Sequence, residues 1–151
     1  MIEFDPINNA RDIFLEEIHE LEGNGLEFTL VIGKTAEEES SVLVGNVDLK
    51  PVHQIYYDDN SPRYRIKFES YVGYSVLKET YTNIGDDGKF EGDKVRKYSE
   101  SNFLNYIRKD TFAHQIYSES SVYHYFFTTL SHLINVASAQ QPIIEKLNTN
   151  H

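Results

Sequence analysis

Arg63-Tyr64-Arg65-Ile66-Lys67-Phe68-Glu69-Ser70-Tyr71-Val72-Gly73-Tyr74-Ser75-Val76 is the clearest period-two stretch of the chain. Tyr64, Ile66, Phe68, Val72, Tyr74 and Val76 alternate with Arg63, Arg65, Lys67 and Glu69, so an extended backbone would bury one face and wet the other. That is the habit of an antiparallel sheet. Gly73 inside the run marks a bulge or bend.

Working outward from it, Leu26 to Ile32, Ser41 to Val47 and Val52 to Tyr57 read as three further strands, separated by Gly33-Lys34, by the run Glu37-Glu38-Glu39 and by Asp48 to Pro51. Residues 83–93, with three glycines and four acids, read as a loop between a strand ending near Tyr81 and one around Val95 to Tyr98. Ser99 or Ser101 then caps a short helix containing Phe103, Leu104 and Ile107. A strand is expected over 121–129. Residues 130–140 fit a second strand or a helix equally well, and Pro142 opens a short terminal helix through Leu147. At the other end, Asp5-Pro6 followed by Ile7, Ala10, Phe14, Ile18 and Leu21 predicts a helix over 6–22, stopped by Gly23-Asn24-Gly25.

The expected fold class is therefore α+β: a mostly antiparallel sheet, flat or strongly curved, with an N-terminal helix and one or two further helices packed on it. At 151 residues, without a repeat or a linker, the chain reads as a single globular domain over 1–151. Eleven Tyr and nine Phe supply the bulk for a core.

Charge is unevenly distributed. Residues 1–60 hold fourteen Asp/Glu against three Lys/Arg, whereas 61–151 hold ten against eleven. With a formal net charge of −10, binding to nucleic acid or to an anionic membrane is not expected. No apolar run long enough to span a bilayer and no secretory signal is seen, which makes the cytoplasm the expected compartment. The absence of cysteine removes disulfides, thiolate chemistry and Cys-based zinc sites.

Asp12, Glu16 and Glu20 would line one face of the expected helix, where like charges four residues apart disfavour one another. With Glu37, Glu38 and Glu39 they form the expected partner-binding surface, and the partner they suit is a basic protein. The competing reading has the row Arg63, Arg65 and Lys67, or Lys94, Arg96 and Lys97, neutralising the same acids within the fold.

Other chemistry finds less support. His53, His114, His124 and His132 lack metal-ligand spacing, and Asp86, Asp87, Glu91 and Asp93 miss the calcium-loop register because Lys94 stands six residues after Gly88. There is no G-x-S-x-G elbow and no phosphate loop. No cofactor or metal is expected and no catalytic residue is assigned. In size, acidity and lack of catalytic motifs the chain resembles small bacterial proteins such as the immunity proteins that block cationic toxins, a likeness of class that no motif carries. The expected function is thus a non-catalytic protein–protein interaction module. Two alternatives stand beside it: a small-ligand-binding or hydrolytic domain with a pocket at His124 and Tyr125, and a structural subunit that oligomerises through an uncovered sheet face or edge. Oligomeric state is left open.

Overall fold

The computed structural model describes residues 4–82, 88–118 and 121–149, with the backbone path alone for 38–44 and 47–51. The chain opens with a one-turn helix, α1 (Asp5–Asn8), followed by strands β1 (Ile13–Leu21), β2 (Gly25–Ile32), β3 (Lys34–Val44), β4 (Val47–Tyr56), β5 (Arg63–Phe68) and β6 (Gly73–Lys78). Then come β7 (Lys89–Gly92), β8 (Val95–Glu100), helices α2 (Asn102–Asp110) and α3 (Ala113–Ile116), and strands β9 (Tyr123–Thr128), β10 (His132–Ser138) and β11 (Ile143–Leu147). All the pairings are antiparallel.

They build three sheets, ordered β1-β2-β5-β11, β6-β10-β9-β8-β7 and β3-β4. The first two pack face to face. Leu26, Phe28 and Leu30 of β2, with Ile66 and Phe68 of β5, meet Tyr125 and Phe127 of β9 and Ile134 and Val136 of β10 in one core. The Phe28 ring stands edge-on to Phe127 with centroids 4.9 Å apart, and Phe68 meets Tyr125 at 5.4 Å. Each fully buried side chain of this size contributes roughly 1.5–3 kcal/mol over its exposed form. Ile7 of α1 and Phe4, the residue before that helix, close one margin of the same core. On the far side of the five-stranded sheet, α2 packs Leu104 and Ile107 against Val122 and Ala137. The architecture is α+β, as expected.

Several elements differ from the sequence reading. The helix expected over 6–22 is replaced by α1 and by strand β1. Leu15 pairs with Leu30 and Glu17 with Thr29, which leaves Glu16 as an extra residue in a bulge. That bulge returns Ile18 to the face of Ile13 and Leu15, so a three-residue apolar spacing arises in extended chain and imitates a helical stripe. Phe14, assigned to that stripe, lies on the opposite face against Tyr57. Gly23 and Asn24 do adopt left-handed φ, of 84° and 70°, but they turn a hairpin instead of ending a helix. The run 63–76 is not one strand: β5 ends at Phe68, and the chain crosses from one sheet to the other before β6. Residues 132–138 resolve as strand, held between β6 and β9. The terminal helix after Pro142 is instead β11, paired with β5. Within the expected loop at 83–93, positions 83–87 lie outside the described residues, and the remainder carries β7.

Candidate functional site

Sheet order brings part of the acidic first segment to the basic fifth strand. Since β2 separates β1 from β5 by one strand only, Glu17 and His19 of β1, Glu27 and Thr29 of β2 and Arg65 and Lys67 of β5 share one outer face, whereas Glu20 stands opposite the core residue Leu26. Arg63 Nε donates to Glu16 at 2.8 Å and its Nη1 to the carbonyls of Asp58 and Ser61, and the Glu16 carboxylate raises the guanidinium's pKa. Arg65 bridges Glu27 at 2.6 Å and Glu145 at 3.2 Å. His19 lies 3.2 Å from Glu17 and 3.7 Å from Glu27. Glu20 accepts the Tyr71 hydroxyl, and that bond, with some desolvation, pushes the phenol up to about 12. Asp12 is half-buried before β1, 3.7 Å from Arg11. Of the three acids Asp12, Glu16 and Glu20, Glu16 alone meets the basic row, through Arg63, while Arg65 is engaged by Glu27 and Glu145.

Glu37, Glu38 and Glu39 have a different setting. Instead of separating two strands they lie within β3, whose only sheet partner among the described residues is β4, so the run sits on a ribbon that joins neither packed sheet. The ribbon follows β2 after Gly33, where an added Cβ would come within 2.9 Å of the Phe14 ring. Its base is tied by Lys34 to Asp58 at 2.9 Å, an ion pair that, with bonds from Asn60 N–H and Ser61, lowers the Asp58 pKa. An open concavity there is lined by Lys34, Thr35, Ala36, Glu37, Gln54 and Tyr56. Glu37 is exposed. The six acids expected to form one surface therefore divide into two groups of three.

His124 and Tyr125, expected to share a pocket, point to opposite faces of β9. Tyr125 belongs to the core between the sheets, where burial pushes its phenol up to about 12. On the other face, the His124 ring stacks on Tyr98 at 4.9 Å and 17° and meets Phe103 at 4.8 Å. Its Nε2 lies 2.7 Å from Asn135 Oδ1, which as a carbonyl oxygen accepts and so assigns the proton to Nε2. Nδ1, 2.9 Å from Ser101 Oγ, must then accept the serine hydroxyl. Ser101 is also the N-cap of α2, accepting Leu104 N–H at 3.1 Å, and Asn135 Nδ2 donates to Ser75 at 3.3 Å.

A serine, an imidazole and an amide in series have the connectivity of a nucleophile, a base and its orienting group. Here the chemistry runs the other way. Desolvation drives His124 down to about 4 despite its bond to Asn135, making it a poor base at neutral pH, and Ser101 is already engaged as a cap. The relay fastens the start of α2 to three strands. The Ser101 cap was legible in sequence, whereas Asn135 was missed; its only signal was a polar residue inside the apolar run Leu133 to Ala137.

Among the described residues no group of three His, Asp or Glu is placed to hold a metal ion. No described helix is long and apolar enough to cross a membrane. The fold and these sites define an α+β protein of mostly antiparallel sheet with a separate acidic ribbon. No protein-family model matches the chain, and neither does any curated protein or solved structure.

Proposed function

We propose that this protein is a non-catalytic, cytoplasmic protein–protein interaction module, of the immunity or inhibitor kind, whose ribbon β3–β4 docks a basic partner. The supporting observation is that Glu37, Glu38 and Glu39 lie on a two-stranded ribbon outside both packed sheets, while Glu16 and Glu20 are engaged within the fold. A two-stranded hairpin alone is marginal in water, so a ribbon of this length gains by lying against another surface. Concentrated carboxylates on it would steer a cationic partner and raise the association rate. The hydrolytic alternative at His124 rests on the relay with Ser101, whose geometry favours a structural role.

The test compares the native chain with Glu37→Lys/Glu38→Lys/Glu39→Lys, both immobilised and exposed to host lysate at low salt. A basic protein held by the native chain, released by salt and absent from the variant supports the reading. Equal retention by both would sink it, provided circular dichroism shows the variant folded.

A further inference from the structure

An open sheet edge offers unpaired N–H and C=O groups, and folded proteins blunt such edges with charge, proline, bulges or brevity. Among the described residues six strands have an open edge, and five carry such a device. β1 has its bulge at Glu16 and the acids Glu17 and Glu20. β11 is five residues long with Glu145 and Lys146 in it. β7 has four residues, an irregularity after Lys89, and ends on Gly92 at φ 103°. β3 breaks register twice and bears the glutamate run, and β4 contains Pro51.

β6 has none of these short of its last residue, Lys78. It pairs with β10 without a shift from Gly73 to Lys78, contains no proline, and is uncharged until Lys78. Val76 and Leu77 are 38% and 45% exposed. Tyr81, in the single-turn 3-10 helix that follows, is 85% exposed, and Leu130 adjoins Ser131, whose carbonyl accepts Glu79 N–H. Large apolar side chains thus gather at the least protected edge among the described residues.

We propose that β6 pairs antiparallel with β6 of a second copy, joining two five-stranded sheets across a two-fold axis. The occupant follows from charge. A dyad through Leu77, perpendicular to the sheet, sets Leu77 across from its copy, each Lys78 across from the other Val76 and each Glu79 across from the other Ser75, so no like charges are opposed. The same operation on β1 would face glutamates with one another. A backbone edge is also complementary to itself when antiparallel, which suits an isologous contact. Glu20 of β1 reaches Tyr71, just before β6, so the dimer brings two acidic β1 strands to the same side. Association therefore strengthens as salt screens them, opposite in sign to docking of a basic partner by the ribbon.

Sedimentation velocity over a concentration series, at low and at high salt, tests this. The native chain should rise towards twice the monomer mass, at lower concentration when salt is high. Val76→Lys/Leu77→Lys should stay at monomer mass, whereas Glu37→Lys/Glu38→Lys/Glu39→Lys should dimerise like the native chain, which separates this inference from the ribbon's role. In the cysteine-free background, Leu77→Cys should oxidise to a cross-linked homodimer. A native chain that remains monomeric at millimolar concentration in high salt overturns the proposal. So does a folded Lys variant that dimerises as the native chain does, or a Leu77→Cys chain that fails to cross-link.

Discussion

His124 shows how one buried side chain ties local chemistry to stability. It is neutral in the folded protein, with Nε2–H directed at Asn135 and Nδ1 accepting from Ser101, and its pKa lies at about 4 against an ordinary value of 6.5. Below the ordinary value the unfolded chain binds a proton that the folded chain does not, so stability falls as pH drops from 6.5 and levels off below about 4. Over that window the loss is on the order of 3 kcal/mol from this group. Urea denaturation at a series of pH values should show this slope in the native chain and its absence in His124→Gln. An unchanged slope in the variant would mean that other groups carry the acid sensitivity. Arg63 and Glu16 illustrate the opposite regime: their pair is partly exposed, and such pairs contribute about 0–1 kcal/mol.

At the scale of elements, the β1–β2 hairpin decides the entry into the fold. Residues 22–24 connect it, with Gly23 and Asn24 at positive φ. Left-handed backbone costs most L-residues roughly 1–2 kcal/mol, which glycine avoids and asparagine tolerates. Asn24→Gly should therefore leave stability unchanged or slightly raised, while Asn24→Val should lose about 1–2 kcal/mol. Thermal denaturation of the two variants side by side checks this, and equal melting temperatures would show that the turn relaxes to accept the branched side chain. The hairpin also explains the largest misreading of the sequence. Turn residues that permit positive φ serve a helix end and a hairpin alike, and the bulge at Glu16 places Leu15 and Ile18 on one face at helical spacing. By contrast, Ser101 ahead of Phe103, Leu104 and Ile107 was legible as a cap and helix, because a cap needs only local partners.

For the molecule as a whole, Phe127 is the residue at which the two sheets and α1 converge. Its ring contacts Phe4, Phe28 and Phe68, and it is fully buried. Phe127→Ala should cost about 3–5 kcal/mol, a large share of the stability of a domain this size. A denaturant midpoint close to that of the native chain would show that the sheets hold together without this junction.

Composition and alternation by themselves determined an α+β class, strands at β2, β5, β8 and β9, and a capped helix at α2, because burying one face of a strand or stripe leaves a periodic trace in the residues that do it. The strand at 132–138 stayed ambiguous, since Ile134 and Val136 are buried between the sheets and Leu133 and Ala137 are buried on the other face, which leaves no wet face to display a period. Only the tertiary structure decided which charges meet. Fourteen acids early and eleven cations late look segregated along the chain, yet the order β1-β2-β5 sets Glu16 against Arg63 across forty-seven positions of sequence. Strand order is set by how the sheets close over a shared core, and no local pattern records it. For the same reason the ribbon carrying Glu37 and the open edge of β6 became visible only once every other strand had found its neighbour.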